Sequence, residues 1–183
     1  MSLDVLKSRI PDYAKDIRIN LGNVITSPAL TPSQVWGAML ASALAARNPT
    51  VIEAITAEAA AQLSPGEQTA AKSAAAIMAM NNVYYRATHL IEDEELSRMP
   101  ARLRMQVIGN PGVDKITFEL WSLAVSAING CGMCLIAHAR ELTAKGASRE
   151  SIQDTLRIAA TVHAAAAAIE GEAALATATQ AAA

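Results

Sequence analysis

The chain has 183 residues, is 52% apolar and carries a formal net charge of −2 at pH 7. That length suits one domain of ordinary size, or two small halves on a common core. A near-neutral balance without a dense Lys/Arg patch argues against nucleic acid as a partner, and with only two Trp, three Tyr and one Phe oligomerisation is the natural way to bury more surface.

Val/Ile/Thr-rich alternating segments are absent, whereas alanine-rich stretches with helix-start signals recur, which predicts an all-α chain. Met1-Ser2-Leu3-Asp4 lacks the basic and apolar regions of a signal peptide. Behind Pro11, Tyr13, Ile17, Leu21 and Val24 follow helical spacing. Thr31-Pro32-Ser33-Gln34 is a capping-box start with proline at the first helical position, and Thr50-Val51-Ile52-Glu53 and Ser64-Pro65-Gly66-Glu67 repeat that pattern. They predict helices near 32–47, 51–63 and 65–88. The acidic run Glu92-Asp93-Glu94-Glu95 reads as a solvated loop.

Breaks fall at Pro100, Asn110-Pro111-Gly112 and Lys145-Gly146. Asp114 caps a helix running to about Ile128, and Asn129-Gly130 ends it. A further helix spans Cys131 to about Lys145, and Ser148 caps the last long one, reaching Ile169. The terminal Ala-Thr-Ala-Thr-Gln-Ala-Ala-Ala segment is expected to fray. The longest nearly uncharged apolar run, Ile158 to Ile169, falls short of the ~20 residues that span a bilayer. A soluble, cytoplasmic protein is expected.

An internal repeat is suggested where Gln34-Val35-Trp36 aligns with Glu119-Leu120-Trp121, an offset of 85 residues. Ala74-Ala75-Ala76-Ile77 and Ala159-Ala160-Thr161-Val162 match at the same offset. The halves would be about 30–95 and 113–175 within one domain over 1–183. Ala46, Pro49 and Glu53 then occupy the positions of Cys131, Cys134 and His138, so only one half carries chemistry.

The only two cysteines are Cys131 and Cys134. Their spacing allows a small, readily exchanged disulfide, and in a reducing compartment such a bond is transient and catalytic. Cys131 lies at a predicted helix start, where free N–H groups and the macrodipole stabilise a thiolate. At about 100° per residue, Cys134 is roughly 300° further on and His138 roughly 340°, so the three share a stripe of about 60°. An imidazole four residues after Cys134 can take or return a thiol proton near neutral pH.

Two blander readings stand beside this one. Cys131, Cys134 and His138 supply at most three of the four ligands a structural zinc takes, and two inert core cysteines are also compatible. Haem attachment would need His directly after the second cysteine, where the chain has Leu135. Glu119, on the preceding helix, is brought towards the stripe by an antiparallel return at Asn129-Gly130. His89 and His163 read as structural, and Trp36, Trp121, Phe118 and Tyr84-Tyr85 as core or interface anchors. No Gly-rich nucleotide-binding loop appears, so electrons are expected from another dithiol rather than from a bound nicotinamide or flavin.

Phe118-Glu119-Leu120-Trp121-Ser122, then Val125-Ser126-Ala127-Ile128-Asn129-Gly130-Cys131, Cys134 and His138, resembles the alkyl hydroperoxide reductase D (AhpD) family. The likeness extends to Pro11 before Tyr13-Ala14-Lys15-Asp16-Ile17, to Arg47-Asn48-Pro49, and to Ala79-Met80-Asn81-Asn82-Val83-Tyr84-Tyr85. It implies an all-α, AhpD-like helical domain of the carboxymuconolactone decarboxylase-like superfamily, assembled as a homotrimer. It also implies a thiol-dependent antioxidant that reduces an oxidised AhpC-type peroxiredoxin and reduces hydroperoxides weakly itself. Electrons would come from protein-attached dihydrolipoamide on a dihydrolipoamide acyltransferase, fed by dihydrolipoamide dehydrogenase and NADH. Carried over, Cys134 is the thiolate that meets peroxide and Cys131 the proton donor that closes the disulfide, with Glu119 and His138 as proton relay. The helix-start argument alone favours Cys131 as the attacking thiolate. The best-known members carry His before the second cysteine, where this chain has Met133. The rival reading is a carboxymuconolactone decarboxylase-like lyase, which needs no dithiol, and behind it stands a non-catalytic helical interaction protein.

Overall fold

The computed structural model describes residues 1–181, and among them every regular element is helical. The order is α1 (Leu3–Ser8), a 3-10 turn (Asp12–Ala14), α2 (Lys15–Asn23), a second 3-10 turn (Val24–Thr26), α3 (Pro32–Ala46), α4 (Pro49–Gln62) and α5 (Pro65–Leu90). There follow α6 (Glu94–Arg98), α7 (Gln106–Gly109), α8 (Lys115–Ile128), α9 (Gly132–Ala144) and α10 (Arg149–Ala181). The all-α expectation is met.

Most starts obey the capping rules that predict them. Thr31 and Ser64 each form a full capping box, with Gln34 and Glu67 reaching back to the cap N–H. The second start differs. Asn48, not Thr50, caps α4, because its Oδ1 accepts from Val51 N–H and Pro49 fills the first helical position without needing a donor. The acidic run is not simply loop: Asp93 Oδ1 accepts from Glu95 and Leu96 N–H and opens α6. The Tyr13–Val24 stretch breaks into a 3-10 turn, α2 and another 3-10 turn, and Tyr13 is 74% exposed, its hydroxyl donating to Glu172.

α3 and α8 lie at the centre, packed on each other and both flanked by α5 and α10. Their contact faces are small: Ala38, Ala41 and Ala43 on α3, Ala70, Ala71 and Ala74 on α5 and Ala159 and Ala165 on α10 are all buried. Short side chains let helix axes approach closely. Between them sit the large side chains Met39, Leu40, Phe118, Leu120, Trp121, Leu123, Ile158 and Val162. Trp121 is fully buried and its indole N–H donates to Gln34 O. Its ring lies on Gly37, where a Cβ would come within 2.1 Å of the ring carbons.

α10 is the one helix among the described residues long and apolar enough by composition to cross a bilayer. Ser151, Thr155, Ile158, Val162, Ala165, Ala166 and Ile169 recur at helical spacing and are buried, and α10 packs on α3 and α8, so its apolar face is core. The helix continues past Ile169 to Ala181, exposed beyond Glu172. The expected fraying segment is therefore helical through Ala181, and its last two residues lie outside the described ones.

α8 ends in a Schellman motif. Gly130 adopts φ +67°, its N–H meets Ala127 O, and Cys131 N–H reaches back to Ser126 O. The following helix opens at once, with Cys131 as N-cap of α9. A polar cluster from α5 holds this joint. Asn82 is fully buried, donating through Nδ2 to Ser126 Oγ and accepting at Oδ1 from Asn129 Nδ2, while Arg86 donates to Asn129 O.

Two outcomes follow for stability. Gly37→Ala lowers the melting temperature despite alanine's advantage of ~1 kcal/mol in a helix, because a methyl group meets a rigid ring and overpacking costs about 1–3 kcal/mol or more. Thermal denaturation checks the sign. Asn82→Ala strips both Ser126 and Asn129 of a buried partner and costs about 1–3 kcal/mol, read from urea unfolding midpoints.

Candidate active site

Cys131 and Cys134 are joined in a disulfide with a Cα–Cα distance of 5.3 Å. The joint between α8 and α9 sets this up. Cys131 is held by both helices, since its N–H closes α8 and its sulfur accepts from Cys134 N–H at 3.3 Å, in the position of a capping oxygen. Cys134 lies in the first turn of α9, one turn before His138.

The two sulfurs see different surroundings. Cys131 is fully buried, whereas Cys134 is 6% exposed and borders a cavity of about 220 Å³. The cavity lies between α5, α7 and α9 and is lined by Met78, Asn81, Tyr85, Ile108, Met133 and Ala137 together with Cys134 and His138. Its surface is almost wholly apolar. A larger cavity of about 570 Å³ lies between the Asn20–Pro28 segment and α10, away from the cysteines. Its acid, Asp154, is already bonded to Ser27 and Arg157.

Glu119 and His138 meet across α8 and α9, with Oε2 at 2.6 Å from Nδ1 and both side chains largely buried. A carboxylate opposite Nδ1 favours the tautomer with its proton on that atom, which leaves Nε2 as the basic nitrogen. The antiparallel return at Asn129-Gly130 therefore does bring Glu119 to the stripe. Met133 stands on the cavity wall, 36% exposed, so an apolar thioether occupies the place of an imidazole. His89 and His163 are exposed and neither lines the cavity beside the pair, while Trp36, Phe118 and Trp121 are core. Tyr84 and Tyr85 stack edge-on at 5.2 Å, and Tyr85 reaches the cavity.

The residue-level reading assigns no role to Asn81, Asn82, Arg86 or Ser126, or to Ile108 on α7. One signal was available. Two consecutive amides interrupt an alanine-rich helix, where asparagine is a poor helix former and a buried amide demands partners. The cavity wall from α7 had no comparable signal, because a four-residue helix leaves no periodicity.

The arrangement is suited to thiol–disulfide exchange: one reachable sulfur, one sulfur stabilised at a helix start, and a carboxylate-oriented imidazole beside them. Comparison with known proteins points the same way. Residues 94–179 match the model of the carboxymuconolactone decarboxylase family. A protein of Rhodospirillum centenum called alkyl hydroperoxide reductase AhpD is 61% identical over 175 residues, covering 96% of this chain and 94% of its own length. Proteins of the same name from Hyphomonas neptunium and Streptomyces coelicolor are 58% and 57% identical over 176 residues, covering 96% of this chain and 98% and 99% of theirs. With this identity over nearly the full length, the chain belongs to the alkyl hydroperoxide reductase AhpD family, within the carboxymuconolactone decarboxylase superfamily.

Proposed function

We propose that the protein is an antioxidant dithiol–disulfide oxidoreductase with weak alkyl hydroperoxidase activity, in which Cys134 meets the substrate and Cys131 resolves it. The observation that carries the reading is the asymmetry of the pair. Cys134 borders the cavity, while Cys131 is sealed and its sulfur takes the Cys134 N–H at the start of α9. A helix start favours a thiolate, and a stabilised thiolate is a good leaving group. An incoming thiolate therefore attacks Cys134 and expels Cys131. The helix-start argument thus applies to the departing sulfur, and access assigns the attacked one.

In the reductive half, a dithiol donor forms a mixed disulfide with Cys134, and its second thiol then releases both cysteines reduced. In the oxidative half, the Cys134 thiolate attacks a peroxide R′OOH. The O–O bond breaks, R′OH leaves after taking a proton, and Cys134 becomes sulfenic acid. Cys131 then displaces water and restores the disulfide. Against an oxidised peroxiredoxin the same two thiols act by exchange. His138, oriented by Glu119, takes and returns the protons.

The physiological chain on this reading runs from a lipoyl-bearing dihydrolipoamide acyltransferase, through this protein, to an AhpC-type peroxiredoxin in the cytoplasm. The protein itself holds no cofactor or metal. Residues 1–183 act as one domain within a homotrimer, for which Val83, Leu90, Ile91, Met99 and Ile136 offer exposed apolar surface. We read α3–α4 as the counterpart of α8–α9 in the repeat, with Ala46, Pro49 and Glu53 leaving it without chemistry.

A lyase of the carboxymuconolactone decarboxylase type is the second reading, favoured by the family model over residues 94–179. Replacing both cysteines by serine separates the two, since lactone decarboxylation survives that change and dithiol chemistry does not. Trapping tests the pathway: Cys131→Ser leaves Cys134 unresolved, so nonreducing gels and mass spectrometry should recover a mixed disulfide with a peroxiredoxin or a lipoyl protein. Recovery of neither, from this variant or from Cys134→Ser, rules the pathway out. His138→Ala should slow thiol oxidation about 10²–10⁴-fold near neutral pH and move the pH–rate profile upward. Glu119→Gln should do so to a smaller extent, and an unchanged profile in both removes the relay.

A further inference from the structure

Arg86 is half-buried on α5, and none of the seven ion pairs among the described residues includes it. A partly buried cation is ordinarily paired with an acid. Here a helix tail takes the acid's place, because Arg86 Nη1 donates to the carbonyl oxygen of Asn129 at the end of α8. That position bears on a conflict in the field at Cys131. The residue stands at the head of α9, whose partial positive charge favours a thiolate, and just beyond the tail of α8, whose partial negative charge opposes one. The two helices have 13 and 14 residues, and each end carries about half a unit of charge, so head and tail largely cancel at the joint. Along the tail, Ser126 O and Ala127 O are covered by the N–H groups of Cys131 and Gly130, and Asn129 O by the guanidinium. A full positive charge there outweighs the half charge of the tail and leaves the head of α9 unopposed. One turn of α5 grips Asn129 twice, since Asn82 Oδ1 also takes its side-chain N–H, which fixes the guanidinium against the joint. The other ionisable side chains brought there are Tyr85 of α5 at the cavity, and Glu119 of α8 with His138 of α9, bonded to each other.

Resting on the exchange reading above, in which Cys131 is the sulfur expelled, we propose that Arg86 is a positioning residue for the dithiol. Acting through the α8 tail, its charge stabilises Cys131 as a leaving thiolate and makes the disulfide easier to reduce. In that step an incoming thiolate forms a bond to Cys134 Sγ and the bond between the two cysteines breaks. Its electron pair stays on Cys131, which is reduced, while the donor sulfur is oxidised into the mixed disulfide. Cys131 is fully buried, so water does not solvate the new charge, and fixed dipoles with Arg86 take that part. Low mobility at the joint strengthens the effect, because the stabilising groups need not reorganise as the charge forms.

The test compares Arg86→Lys, which keeps the charge, with Arg86→Gln, which keeps an N–H donor for Asn129 O and loses the charge. Arg86→Met, neutral and without a donor, repeats the comparison. Two quantities are read on the oxidised, folded protein: its rate of reduction by dithiothreitol, and its equilibrium in dithiothreitol redox buffers at about pH 9, where a released cysteine is largely ionised. Arg86→Gln and Arg86→Met should slow reduction about ten-fold and lower the equilibrium constant about ten-fold, equivalent to ~30 mV for this two-electron couple. Arg86→Lys should stay within about three-fold of the wild type in both. The equilibrium is blind to any attraction between Arg86 and the incoming reagent, so it isolates the stabilisation of Cys131. Added to Cys134→Ser, Arg86→Gln should also move the ultraviolet thiolate titration of Cys131 upward by about one pH unit. Added to Cys131→Ser, it should move that of Cys134 less. The inference is overturned if Arg86→Gln matches the wild type, or if Arg86→Lys and Arg86→Gln lose equally, which marks a purely structural role. A wild-type disulfide that dithiothreitol does not open sinks the exchange reading as well, which sets that failure apart.

Discussion

The contact between the Trp121 ring and the backbone at Gly37 decides where everything else can sit. A fully buried indole has no room to retreat, and a side chain at Gly37 would overlap it. The indole N–H bond to Gln34 O adds direction to that packing. Together they fix the depth and rotation of α8 against α3. Glu119 lies two residues before Trp121 and Cys131 ten after it on the same run of chain, so the redox site is referenced to this contact. Its partner Gln34 also donates to Thr117 Oγ1, tying the start of α3 to the first turn of α8.

From that fixed helix the chemistry is built at a joint with no slack. Cys131 both closes α8 through its N–H and opens α9 through its sulfur. A residue bound from two sides cannot follow an incoming partner, so mobility and access fall to Cys134 on the cavity side. On the proposed reading, the division of labour between two chemically identical thiols thus comes from backbone bonding, not from side-chain type. Glu119 contributes from α8 and His138 from α9, so the proposed relay also spans the joint and depends on the same crossing.

Much of this was legible in the chain. Capping boxes at Thr31 and Ser64, the cap at Asp114 and the Asn129-Gly130 stop mark helices that form where expected, because each satisfies its own first-turn donors locally. The stripe of Cys131, Cys134 and His138 follows from helical geometry alone. What escaped depends on packing. Asn48 outcompetes Thr50 as a cap because it too has a following proline in the right place, and buried Asn48 bonds Glu170 from α10 as well. The short helices α1, α6 and α7 are too brief for a period, yet α7 supplies Ile108 to the cavity wall. The extension of α10 beyond Ile169 needs only alanine's propensity, which outlasts the core it leaves behind.

Asn81 and Asn82 show how one helix sets two identical side chains in different surroundings. Neighbours on an α-helix point about 100° apart, so two identical side chains reach different surroundings. Asn82 faces α8, where Ser126 and Asn129 take up its amide and hold the joint that carries Cys131. Asn81 borders the cavity beside Cys134, and its oxygen is sealed from solvent without a partner. If the only demand on α5 were to pack, alanine would serve better at position 81, as it does at Ala70, Ala71 and Ala74 on the same helix. A buried polar group left without a partner is a standing cost to the fold. The satisfied amide therefore belongs to the architecture of the dithiol, because the joint that carries Cys131 is held through its two bonds.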